Sequence, residues 1–149
     1  MIVKRFLFPG LLLVLWLLII GCKTTISQKA VNLNPLDMLV GVWEGYYTGG
    51  NQGETGLTLT IYKEGEEYMA ISHFYNLPGR SNTREGRFYM KVSYDPSTGK
   101  FFLKAHEWIL RPGSYIWGDL EGELTGNEFK GSVVFNNRAT GTSFTVTRK

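Results

Sequence analysis

Three carboxylates, Asp119, Glu121 and Glu123, alternate along "DLEGELT". On a strand their Cα atoms would stand about 6.5–7 Å apart on one face. Paired carboxylates within such reach are what general acid–base chemistry needs. Folding the flanking sequence into hairpins, however, sets His106, Lys104 and Lys130 opposite them. The set then reads as a solvated face of exposed ion pairs, each worth ~0–1 kcal/mol. "HEWIL" begins at His106 as H-E-x-x-H does, but residue 110 is Leu, and that zinc motif works only on a helix. "YDPSTGKF" lacks the leading glycine of a phosphate loop and the hydroxyl residue after Lys100. No G-x-S-x-G is present. With His73, His106 and one cysteine, the chain has no donor set for a structural zinc. The sequence therefore predicts no enzyme, no metal and no cofactor. His73 lies in "EYMAISHFYNL", whose alternation leaves its direction open.

A different chemistry gathers around "EWILRPGSYIW". Trp108, Arg111, Tyr115 and Trp117 flank one turn, and these three residue types are the usual anchors of binding surfaces. They are the candidate binding residues. The plainer reading is a cross-strand aromatic pair, Trp108 against Trp117, capping a hairpin on its polar side.

The one cysteine ends the apolar run "LLLVLWLLIIGC". The run is shorter than the roughly 20 residues a membrane helix needs, and Lys4 and Arg5 precede it in the layout of a secretory signal. "IIGC" resembles a bacterial lipobox. The resemblance implies a signal peptide over 1–21, cleavage after Gly21, and acylation of Cys22 as the new N-terminus. Two or more chains hold a protein firmly on a bilayer. Lys23 stands where inner-membrane retention has Asp, and no acidic cluster follows Cys22. The expected address is the cell envelope, at the outer membrane and facing the periplasm. The lipid bilayer is then the first partner.

The charge balance, 16 basic to 13 acidic residues, owes much to the signal. Without Lys4 and Arg5 it falls to 14 against 13, which gives no case for nucleic acid. No intrachain disulfide is possible, so the domain must stand on its core. Residues 22–37 read as the lipidated cysteine and a polar tether, and 38–149 as the folded domain. Asn34 and Pro35 in "NPLDML" suit a short helical turn.

The elements that must position the candidate residues are strands. Eight alternating runs follow: Val40–Thr48, Gly56–Lys63, Glu67–Tyr75, Glu85–Tyr94, Lys100–Leu110, Ser114–Leu124, Glu128–Phe135 and Ser143–Arg148. Their spacing and the Gly- and Asn-rich breaks predict an all-β, eight-stranded antiparallel meander barrel, with a β-sandwich as the alternative. Folding about Pro112–Gly113 pairs Ile109 with Ile116, Ala105 with Leu120 and Phe101 with Leu124 inside. It pairs Trp108 with Trp117, His106 with Asp119 and Lys104 with Glu121 outside. Folding about Gly126–Asn127 pairs Leu124 with Phe129 and Leu120 with Val133 inside, and Glu123 with Lys130 outside.

"GVWEG" (Gly41–Gly45) resembles the G-x-W that opens lipocalin-like, or calycin, barrels after a short helical turn. The resemblance implies that Trp43 closes the barrel floor and that Arg148, on the last run, packs over it by a cation–π contact. It also raises the expectation of a small apolar ligand; inward Gly41, Gly45, Gly118, Gly122 and Gly131 leave room for one, while Phe101, Phe129, Phe135 and Trp43 are large enough to fill that room. The alternative is a protein-interaction or enzyme-inhibitor module acting on another envelope protein through outer aromatics and loops.

Overall fold

The structure, a computed structural model, describes residues 33–48, 53–135 and 138–149. The signal run, Cys22, most of the tether and Gly49–Gly50 lie outside the described residues. Among the described residues a 3-10 turn, Pro35–Leu39, leads into eight strands: β1 Gly41–Thr48, β2 Thr55–Glu64, β3 Glu67–Tyr75, β4 Gly86–Asp95, β5 Lys100–Leu110, β6 Asp119–Thr125, β7 Glu128–Phe135 and β8 Arg138–Arg148. Each pairs antiparallel with its sequence neighbour, and β8 returns to β1, so the meander closes into a barrel. Closure removes every sheet edge. The outer surface carries Glu44, Arg87, Lys91, Lys104, Glu121 and Lys130, where a membrane-spanning barrel would show an apolar band. No described helix is long and apolar enough to cross a membrane.

The 3-10 turn belongs to the barrel. Asn34 caps it by accepting from the Leu36 N–H (3.0 Å), and Pro35 supplies the first position. Leu39 is fully buried, and Tyr68 of β3 donates its hydroxyl proton to Asp37. The folded unit thus includes Asn34–Asp37, ahead of the boundary at 38 drawn from composition.

The β6–β7 hairpin has the register read from the sequence: Leu124 faces Phe129, Leu120 faces Val133 and Glu123 faces Lys130. Gly126, at φ +59°, makes the two-residue turn that fixes it. The β5–β6 register does not follow the sequence reading. Phe101 faces Gly122 and Leu103 faces Leu120, a slip of two residues. The pairs Ala105–Leu120, Phe101–Leu124, Ile109–Ile116 and Lys104–Glu121 are absent, and Glu121 bonds Lys100 instead (2.6 Å). The cause lies in β5. Against β4 it pairs Tyr89 with Glu107 but Met90 with Ala105, leaving His106 as an extra residue, and a second irregularity leaves out Ile109. Each bulge shifts the alternation by one. Trp108 therefore turns inward opposite Phe88, whereas Ile109 and Leu110 are exposed. The strand β6 begins only at Asp119, because residues 111–118 form a longer connection. His106 does not pair with Asp119; Asp119 Oδ1 accepts the backbone N–H of Ala105 beside the bulge (2.8 Å).

The glycines do not supply interior room. A β-carbon on Gly45, Gly122 or Gly131 would lie within 2.4 Å of a carbonyl oxygen on the neighbouring strand. One on Gly41 would meet the Arg148 guanidinium, and one on Gly118 the side chains of Val133 and Phe135. They permit close strand approach and seat neighbouring side chains.

Candidate ligand-binding cavity

The two ends of the barrel are built differently. At the closed end Trp43 is fully buried among Leu39, Phe129 and other core side chains. Its indole N–H donates to the Leu39 carbonyl (2.7 Å). The Arg148 guanidinium lies 4.3 Å from the ring centroid, across the strand pair Trp43–Arg148. It also donates to the carbonyls of Val40 (2.7 Å) and Met38. Phe101, Phe129 and Phe144 fill the space above with edge-to-face contacts.

At the other end the interior is open. A cavity of about 560 Å³ is lined by Tyr47, Leu57, Ser72, Phe74, Phe88, Tyr115, Ile116, Trp117, Leu120, Val133, Phe135 and Thr142, together with Ser114 and Gly118. Among the described residues, no charged side chain lines it. The Tyr47 phenol holds its proton more tightly than usual, chiefly because burial disfavours the phenolate. Hydrogen bonds with Thr55 and Thr83 oppose that shift, and those two hydroxyls lie 2.7 Å apart. This polar knot, with Arg80–Glu54 (3.0 Å) outside it, ties residues 76–85 onto the start of β2.

The connection 111–118 forms the mouth. Pro112 is buried against the position a Gly86 side chain would occupy, and Gly113 turns the chain at φ +64°. Tyr115 then lies flat on Phe74 (centroids 6.1 Å apart, 5° between planes). Trp117 stacks on Trp108 at 5.5 Å and touches Phe88. Arg111 donates through Nε to the Tyr115 carbonyl (2.9 Å) and sits 5.9 Å from the Trp108 ring centroid. The four candidate binding residues therefore gather at the mouth of the barrel. The polar-face placement of the two tryptophans is corrected: Trp108 packs inward with Phe74 and Phe88, and Trp117 lines the cavity.

No family model matches the chain, and neither the curated proteins nor the solved structures gave a match. The site's chemistry is thus carried by its own geometry.

Other residues singled out above lie outside this site. His73 points to the outer surface, 3.1 Å from Glu85, which Arg87 holds at 2.7 Å. Asp119 and Glu121 are engaged with Ala105 and Lys100. Asp95 in "YDPSTGKF" is held below the usual carboxylate range by the Ser97 hydroxyl and backbone N–H, a turn-closing role. Among the described residues no group of three or more His, Cys, Asp or Glu side chains is placed to hold a metal. Tyr47, Ser72, Phe74 and Thr142 were missed as lining residues. Pairing Phe74 with Leu57 across β2–β3 would have turned Ser72 and Phe74 inward and His73 outward.

Proposed function

We propose that this chain is a lipid-anchored, non-catalytic protein of the bacterial envelope that holds one small apolar molecule in the open half of its barrel. The observation that carries the reading is a cavity of about 560 Å³ whose described lining is uncharged and largely aromatic and aliphatic. That volume lies within the range of small-molecule sites. Eight-stranded barrels can be solid or hold one ligand, and this one is solid at one end only. The G-x-W resemblance supports the same reading, and the lipobox-like "IIGC" supports acylation at Cys22. The first described residues and the 3-10 turn sit at the closed end.

The test is to recover the protein from cells, extract it with organic solvent and look for stoichiometric apolar cargo. Cargo should be present in the wild type and depleted in Trp117→Ala. Protein free of cargo in both would count against the reading. Anchoring is tested separately: Cys22→Ser should leave an uncut precursor or release the protein from membranes. Normal processing and retention would reject the lipid anchor.

A second reading rests on the rim, where Ile109, Leu110, Ile116 and Trp117 are 45 %, 46 %, 57 % and 37 % exposed. Such a patch suits an envelope protein partner. A partner captured by the wild type and lost in Ile116→Asp, with no cargo in either, would favour it.

A further inference from the structure

Building on the cavity reading, we infer that the bound molecule is a single-tailed amphiphile with an anionic oxygen head, its tail in the cavity and its head between Arg84 and Arg111. The described lining offers no charge, so a charged group on the ligand is best placed at the mouth. Two arginines stand there, and both are fastened to Tyr115, the side chain that folds over the opening. Arg111 donates to its carbonyl oxygen (2.9 Å), and the Arg84 backbone N–H donates to its hydroxyl (3.5 Å). The Arg84 guanidinium reaches the same turn, with Nη1 3.9 Å from where a Gly113 β-carbon would be.

Neither guanidinium has a carboxylate partner among the described residues. Their neighbours Arg80 and Arg87 are spoken for by Glu54 and Glu85. Arg111 uses only Nε in its described hydrogen bond, which leaves its Nη groups for a ligand. Paired guanidinium forks suit carboxylate, phosphate or sulfate heads better than neutral ones. The cavity volume sets the size. At the ~30 Å³ that a water molecule occupies in the liquid, it holds on the order of twenty heavy atoms. A single alkyl chain fits that space and a two-chain lipid does not.

The experiment uses the full chain in amphipol, loaded with the neutral fluorophore N-phenylnaphthylamine, and compares its displacement by dodecanoate and dodecanol. Dodecanoate should compete about tenfold better, as a charge-assisted contact at an exposed rim warrants. The gap should narrow as salt is added. In Arg84→Gln the preference should shrink with dodecanol competition unchanged, and in Arg84→Gln/Arg111→Gln it should vanish. Arg84→Gln alone guards against a disturbed loop, since its guanidinium makes no described backbone contact. Equal competition by acid and alcohol, or a preference that survives in the double variant, would overturn the arginine assignment and leave the cavity reading standing. Displacement by neither would overturn both.

Discussion

Trp43 and Trp117 occupy opposite ends of one barrel and do opposite things. Trp43 has no exposed surface, its N–H is satisfied by Leu39, and Arg148 covers its face. Trp117 is 37 % exposed, stacks on another tryptophan and borders empty space. Apart from Arg148 at the floor, the cations at the two ends divide in the same way. Arg80, Arg84, Arg87 and Arg111 ring the open end, whereas Lys63, Lys100, Lys130 and Lys149 lie toward the closed one. Lysine there serves compact surface pairs such as Lys100–Glu121 and Lys130–Glu128. Each of those lysines holds its proton more tightly than usual because the paired glutamate accepts from it. Arginine at the mouth offers planar forks in addition to charge. The contrast teaches that stability is concentrated at the floor, which frees the upper half to stay unfilled.

Substitution at the floor should have the largest effect. Trp43→Ala removes the biggest buried side chain and should cost about 3–5 kcal/mol in urea unfolding. A loss below about 1 kcal/mol would mean that the closed end does not dominate the core. Asp119→Ala comes next. It strips the acceptor from the Ala105 N–H beside the β5 bulge and should cost about 1–3 kcal/mol. His106→Ala, at the bulge itself but exposed, should stay within about 0.5 kcal/mol, so equal effects would reject the bulged geometry.

Ser72→Leu sharpens the comparison from inside. Ser72 is buried and lines the cavity, so a leucine there fills empty space. Stability should hold or rise by up to about 1 kcal/mol, as cavity-filling changes do. A large loss would show that the upper interior is already occupied by side chains.

The smallest effect concerns pH. Arg87, and after it His73, holds the Glu85 carboxyl below its ordinary value of 4.5, against an opposing desolvation. A carboxyl lowered in the folded state stabilises above its unfolded pKa, and the contribution is lost as pH falls through the lowered folded value. Glu85 is exposed, so Glu85→Gln should flatten the acid limb of a stability–pH curve only slightly. A change at neutral to alkaline pH, with the acid limb untouched, would contradict that sign.

The floor was legible through the resemblance of "GVWEG" to the calycin G-x-W, which implied that Arg148 covers Trp43, and the two do face each other across β1 and β8. The β6–β7 hairpin was legible because Gly126–Asn127 leaves its turn no slack. The mouth was not. Two bulges in β5 break the period that identifies inward residues, and neither His106 nor Ile109 marks its position by type. "RPGS" does turn the chain, at Gly113, but inside an eight-residue connection rather than a tight hairpin. Trp108, Arg111, Tyr115 and Trp117 were therefore recognised as a group but set on the wrong side of the sheet. The polar members of the lining, Ser72 and Thr142, carry no apolar signal.

Titration of the full chain with N-phenylnaphthylamine, in the wild type and in Ser72→Leu, is the most direct measurement of whether the open half holds a ligand. An empty, accessible cavity predicts saturable one-to-one binding, with energy transfer from Trp108 and Trp117 to the probe. It also predicts weaker binding, with both signals reduced, in Ser72→Leu at an unchanged or higher melting temperature. No saturable binding by the wild type, or equal binding by the filled variant, would contradict it.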